Sequence, residues 1–192
     1  VARRLRECLE MSLSGAWDGI SLRGRQVSCM TLGVLGVGRL GKMTVEFGKA
    51  FRMRVLGCDL KPFDIPGVQR VDFDTLLRNS DALSIHIHLT EETRHLFNAD
   101  VLGRMKPGAI LVNTSRGDIV DEEAVLDALK SGRLGGYGTD VVHDEWRGDM
   151  SSSPLVQYAR THPNVVITPH IGGNTDYSVR VARLFSARKL AH

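Results

Sequence analysis

The chain has 192 residues, 42% of them hydrophobic and 24% charged, an ordinary globular balance with enough length for one domain and a real core. A net charge of +3 is too small to argue for nucleic acid, and no apolar run approaches the length of a membrane span, so neither partner is expected. Cys8, Cys29 and Cys58 are odd in number and scattered, which argues against a disulfide frame or a zinc site and fits reduced thiols in a cytoplasmic protein.

In chain order, Leu5, Leu9 and Leu13 fall at helical spacing with basic residues between them, and predict a helix in the first thirteen residues. Residues 30–35 form a short apolar run that reads as a buried strand. Gly36, Gly38 and Gly41 follow in a G-x-G-x-x-G spacing. Leu40, Met43, Phe47, Ala50 and Phe51 then recur as one apolar face of a helix starting near Arg39. A second apolar run, 53–58, closes a strand–helix–strand unit that ends in Asp59. In that setting Gly36 permits a tight turn, Gly38 lets backbone approach a pyrophosphate, and Gly41 lets the helix pack on the strand. Asp59 is placed to accept hydrogen bonds from an adenosine ribose diol and to repel a 2′-phosphate. NAD is therefore expected over NADP, with Lys61 nearby to soften the discrimination.

The alternation continues. Residues 81–87 predict a strand, 98–105 a short helix capped by Asn98, 109–113 a strand, and 121–131 a helix capped by Asp121 and stopped by Gly132. Residues 138–142 and 165–168 predict further strands, and 154–160 a short helix with Ser153 as its cap. This pattern predicts an α/β fold with a parallel sheet and helices on both faces, whose ligands sit at the carboxyl ends of the strands. Three polar sets fall there: Asn113-Thr114-Ser115-Arg116-Gly117, then Asp140 with Glu145, then Thr168-Pro169-His170-Ile171-Gly172-Gly173. His86 and His88 would share one strand face and invite a metal reading, but no third ligand stands close in sequence and no metal is expected.

The stretches "GVLGVGRLG", "MKPGAILVNTSRGDIVDEEAVLDALKSGRLGGYGTDV" and "NVVITPHIGG", in this order over about residues 17–175, resemble the NAD-binding domain of the D-isomer-specific 2-hydroxyacid dehydrogenases. The resemblance implies a Rossmann-type doubly wound sheet and NAD as cofactor. It places the family's catalytic arginine, glutamate and histidine on Arg116, Glu145 and His170. It places pyrophosphate contacts on Arg39 and Leu40, beside Gly36, Gly38 and Gly41. The nicotinamide end is lined by Thr114, Ser115 and Arg116, with Asp140 holding the amide and His170, Gly172 and Gly173 beside it. The loop with His88 and Thr93 would form a further cofactor wall, although His88 stands where a proline is usual. His170 would take the hydroxyl proton, Glu145 would hold its other ring nitrogen, and Arg116 would grip the substrate carboxylate through two parallel hydrogen bonds.

The family carries a second, substrate-binding domain built mostly from residues before this one. The expected organisation is a leading helix in 1–14, the NAD-binding domain in 15–175, and the start of a return helix in 176–192. The chain begins with Val and shows no leader peptide, so it is expected to be part of a longer protein or a processed product. Two function classes remain open. One is an NAD-dependent dehydrogenase of small D-2-hydroxy acids or their 2-keto acids, expected as a homodimer. The other is an NAD-sensing binding module of the corepressor type that resembles the same family.

Overall fold

The computed structural model of the chain describes residues 1–190, so the last two residues of the expected 176–192 segment lie outside the described residues. Seven strands make one sheet: β1 (Thr31–Leu35), β2 (Arg54–Cys58), β3 (Val68–Arg70), β4 (Ala82–Ile85), β5 (Ala109–Asn113), β6 (Leu134–Thr139) and β7 (Val165–Ile167). They lie in the order β3-β2-β1-β4-β5-β6-β7, and every ladder is parallel. The helices are α1 (Leu5–Leu13), α2 (Arg39–Ala50), α3 (Phe73–Asn79), α4 (Ala99–Arg104), α5 (Glu122–Lys130), α6 (Pro154–Thr161) and α7 (Asp176–Leu190). This is the doubly wound parallel sheet that the strand–helix alternation predicts. Strand order reverses between β1 and β4, and in such sheets ligands sit in the crevice at that reversal, outside the carboxyl ends of the strands.

The core lies where continuous apolar runs need it. Parallel strands covered on both faces must bury both sets of side chains, and Leu83, Ile85 and Leu111 are fully enclosed together with Phe97, Ile119 and Val125 from the covering segments. Three helix starts follow the sequence signals. Asn98 accepts the Val101 N–H at 3.1 Å, Asp121 accepts the N–H groups of Glu123 and Ala124, and Ser153 accepts that of Val156. Gly132, at φ +73°, ends α5 and its flanking turn.

Two expected strands have other bounds, and the α2 helix presents a face to the sheet that its apolar period does not specify. The apolar face of α2 is turned outward: Leu40, Met43, Phe47 and Phe51 are each more than half exposed, while Gly41, Val45 and Gly48 meet the sheet. A helix this close to its sheet buries its small residues and leaves the large ones outside. β6 begins at Leu134 and ends at Thr139, against the expected 138–142. Gly135 and Gly136 are strand positions where neighbouring backbone comes close: a Cβ on Gly135 would lie 2.4 Å from the Gly108 carbonyl oxygen, and one on Gly136 2.7 Å from that of Asn164. The strand expected at 81–87 stops at Ile85. β3 and α3 were not anticipated. β3 has three residues on the sheet edge, too few for a periodicity, although Asp72 caps α3 by accepting the Thr75 N–H at 2.7 Å.

Candidate functional site

The chain leaves β1 through Gly36 at φ +88°, a left-handed conformation that glycine adopts without steric cost. A Cβ on Gly41 would lie only 1.9 Å from the Gly36 carbonyl oxygen, so the first turn of α2 sits directly on that bend. Gly38 precedes α2, no side chain caps this helix end, and a Cβ at Gly38 would meet nothing within 4 Å. The N–H groups of the first helical turn, the positive end of the helix dipole and open space thus coincide, with Arg39 and Leu40 exposed beside them. That cradle fits a pyrophosphate.

Asp59 follows β2, and its carboxylate does something the sequence did not reveal. Oδ2 accepts the Val37 N–H at 2.7 Å and Oδ1 accepts the Lys61 N–H at 2.8 Å. Each carboxylate oxygen has a further lone pair, so the group ties the glycine turn to β2 and keeps acceptor capacity for a diol. Gly36 N–H also donates to the Cys58 carbonyl at 2.8 Å, closing the same junction.

At the ends of β5, β6 and β7 the three polar sets come together. Asn113 is fully buried and organises the loop after β5: its Oδ1 accepts the Ser115 N–H and its side-chain amide donates to the Arg116 carbonyl. Ser115 Oγ donates to the Ile85 carbonyl at 2.8 Å, which pins the loop to β4. Thr114 and Arg116 are exposed. The guanidinium makes one contact with the Ser115 carbonyl at 2.6 Å and, among the described residues, has no carboxylate partner. Asp140 knits β6 to the loop after β7. Its carboxylate accepts from the Thr168 hydroxyl, from the Ile171 N–H at 3.0 Å and from the Gly172 N–H at 2.8 Å. Partial burial alone would raise this carboxyl, but those three donors and the nearby His170 together hold it below the usual carboxylate range.

His170 lies within that loop at φ +52°, a strained conformation for a side chain of its size, held in place by a bond from its N–H to the Asp140 carbonyl at 2.9 Å. Its Nδ1 is 2.7 Å from Glu145 Oε1, and Glu145 is largely enclosed. A carboxylate at that distance fixes the hydrogen on Nδ1 and leaves Nε2 as an acceptor. Trp146, exposed, sets its ring 6.2 Å from the imidazole. Glu145, Trp146 and His170, together with Leu5 and Leu9 of α1, line an open cleft of about 1120 Å³.

Other residues stand apart. His86 Nε2 is engaged by Thr44 Oγ1 at 3.0 Å and Ser84 Oγ at 2.9 Å, and burial pushes its imidazole below the ordinary value. His88 is exposed, and its carbonyl accepts from Thr93 Oγ1 at 2.7 Å, so this loop closes on itself. The two imidazoles of the H-x-H therefore have separate surroundings.

Comparison with known proteins shows the family. The family described as "D-isomer specific 2-hydroxyacid dehydrogenase, NAD binding domain" matches residues 1–172. A hydroxypyruvate reductase of Thermotoga maritima is 38% identical over 176 residues, covering 91% of this chain and 56% of its own. A glyoxylate reductase of Thermofilum pendens is 38% identical over 200 residues, covering 99% and 57%. The crystal structure of the D-lactate dehydrogenase of Aquifex aeolicus, complexed with NAD and lactic acid, aligns with a TM-score of 0.90 at 32% identity, covering 99% of this chain and 61% of that one. The chain thus spans about half the length of the curated relatives it matches.

Proposed function

The chain belongs to the NAD-binding domains of the D-isomer-specific 2-hydroxyacid dehydrogenases, and from that membership we propose that the protein carrying it interconverts a small D-2-hydroxy acid and its 2-keto acid. The observation that carries the proposal is the His170–Glu145 pair at 2.7 Å beside a loop that presents an Arg116 guanidinium free of any carboxylate among the described residues. NAD, when bound, supplies the hydride acceptor or donor. The chain's own groups do the rest. Arg116 has enough free donors to clamp a carboxylate in two parallel bonds. His170 Nε2 is the acceptor that takes the hydroxyl proton, and Glu145 holds Nδ1 and offsets the charge that the ring gains. The glycine turn at Gly36, Gly38 and Gly41 with Arg39 and Leu40 holds the pyrophosphate, and Asp59 the adenosine diol. Thr114, Ser115, Asp140, Gly172 and Gly173 surround the nicotinamide end, with His88 and Thr93 as an outer wall. Asp140 serves chiefly by fixing the His170 loop, since most of its acceptor capacity is already taken.

The relatives named above are oxidoreductases by description, and the corepressor reading finds no support in them. We further read α7 as the start of the return to a substrate domain, because Tyr177, Val181, Leu184 and Phe185 along it are exposed. The outward row on α2 and the exposed Leu5, Leu9 and Leu13 of α1 supply apolar area for a homodimer. Among the described residues no helix is long and apolar enough to cross a membrane, and three free thiols favour a cytoplasmic setting. The test of the catalytic reading is NADH consumption by the full-length protein offered glyoxylate, hydroxypyruvate or pyruvate. Absence of turnover on all such 2-keto acids would remove it.

Cofactor choice gives a separate prediction. Asp59→Ala should weaken NADH binding by about 10–100-fold, since hydrogen bonds to a charged group contribute about 1.5–3 kcal/mol. NADPH binding should change less, because Asp59 repels the extra phosphate as well as holding the turn. Calorimetric titration of both cofactors reads the effect, and equal affinities for NADH and NADPH in the unmutated protein would contradict it.

A further inference from the structure

Two loops carry the residues assigned to the chemistry, and they meet backbone to backbone. The loop after β5 holds Arg116, and the loop after β6 holds Glu145. A Cβ on Gly117 would lie 2.4 Å from the Val142 carbonyl carbon and 2.7 Å from the His143 nitrogen, so no side chain fits between them. Across this contact His143 reaches both sides. Its Nδ1 is 2.6 Å from Asp118 Oδ1, two residues beyond Arg116, and its Nε2 is 3.3 Å from Asp144 Oδ2, next to Glu145. Its backbone N–H donates to Glu122 Oε1 of α5 at 2.7 Å. Arg94 grips the same Asp118 carboxylate from the loop after β4, and Arg147 pairs with Asp144. Glu145 is tied into this arrangement, since its Oε2 accepts the Val142 N–H at 3.3 Å while Oε1 holds His170.

We propose that His143 is a positioning residue whose protonated ring bridges Asp118 and Asp144, and so holds the Arg116 and Glu145 loops in register for the His170–Glu145 pair. The proposal rests on the dehydrogenase reading above. Only an imidazolium donates from both nitrogens, and a neutral ring leaves one carboxylate facing a lone pair. The hydrogen bond to Asp118 raises the His143 imidazole above its ordinary value, against some desolvation, with the Asp118, Asp144 and Glu122 charges adding to it. The reciprocal bond from His143, with Arg94, holds the Asp118 carboxyl below the usual range despite burial. Glu122 is pushed upward by burial, against the bond from the His143 N–H. The folded imidazole being raised, the bridge contributes fully below the ordinary imidazole range and is lost as pH climbs through the raised value. His143 is about half exposed, at 54% of its side chain, so solvent and salt screen the bridge and its effect is modest.

The test compares the full-length protein with His143→Gln, which keeps a hydrogen bond to Asp118 but never carries charge. At pH 6 the variant should turn over about fivefold more slowly, with NADH affinity unchanged, and at pH 9 the two should agree within about twofold. Hydrogen exchange of residues 140–148 should be faster in the variant than in the parent at pH 6 and equal at pH 9, with residues 36–50 unaffected at both. A gap in rate or in exchange that stays constant with pH, or no gap at all, overturns the proposal. If the unmutated protein reduces no 2-keto acid, the dehydrogenase reading fails, and the exchange comparison alone decides whether the bridge exists.

Discussion

His170→Gln in the full-length protein should lower turnover by about 10²–10⁴-fold, the usual worth of a positioned general acid–base group. Glutamine keeps a polar side chain that Glu145 can still contact, but it has no ring nitrogen that takes and returns a proton near neutral pH. The cofactor cradle is untouched by the change. The glycine turn and Asp59 belong to β1, α2 and β2, while His170 follows β7 on the far side of β4, β5 and β6. NADH affinity should therefore stay within about twofold, and the loss should fall on kcat. The left-handed backbone at position 170 is strained for glutamine as for histidine, so the melting temperature should move little. A variant that keeps more than half the parental kcat would take His170 out of the chemistry and leave Glu145 without a role.

Gly41→Ala should act on the other half of the site and more drastically on the fold. The added methyl would sit 1.9 Å from the Gly36 carbonyl oxygen and 3.3 Å from Val34 Cγ1. Neither neighbour can give way: Gly36 is itself pressed against the His86 carbonyl, with a Cβ there only 2.7 Å from that oxygen, and Val34 is fully buried in β1. The helix must then lift from the strand, at a cost of about 3 kcal/mol or more, the upper end for overpacking a rigid site. The N–H groups of the first turn move with it, and loss of two such bonds to a charged pyrophosphate should weaken NADH binding at least about 100-fold. Thermal unfolding and calorimetry check the two effects together. An alanine variant with the parental melting temperature and NADH affinity would mean that the turn is not built as described.

Much of this architecture is legible in the sequence because its determinants are local. Gly36, Gly38 and Gly41 between two apolar runs specify a strand–turn–helix, and Asn98, Asp121 and Ser153 announce helix starts by capping chemistry that spans three residues. What escaped is what depends on a distant partner. The row Leu40, Met43, Phe47 and Phe51 has an apolar helical period, but a period does not say which face the sheet takes, and here glycines at 41 and 48 decide it. The start of β6 at Leu134 was missed because the backbones of Gly108 and Asn164, which require its glycines, come from other segments. Asp59 holding the Val37 N–H, Asp140 lacing the His170 loop, and His143 reaching Asp118 are all long-range contacts with no local signature.

On the function proposed above, the protein carrying this chain reduces 2-keto acids with NADH to one hand of 2-hydroxy acid, by way of Arg116, Glu145 and His170. Chiral chromatography of the product tests it most directly: the full-length protein is supplied with NADH and either hydroxypyruvate or pyruvate, and the hydroxy acid formed is resolved. Formation of D-glycerate or D-lactate, at a rate lowered about 100-fold or more in His170→Gln, is the result predicted. The L-enantiomer, a racemate, or a product yield unchanged in His170→Gln would contradict the account.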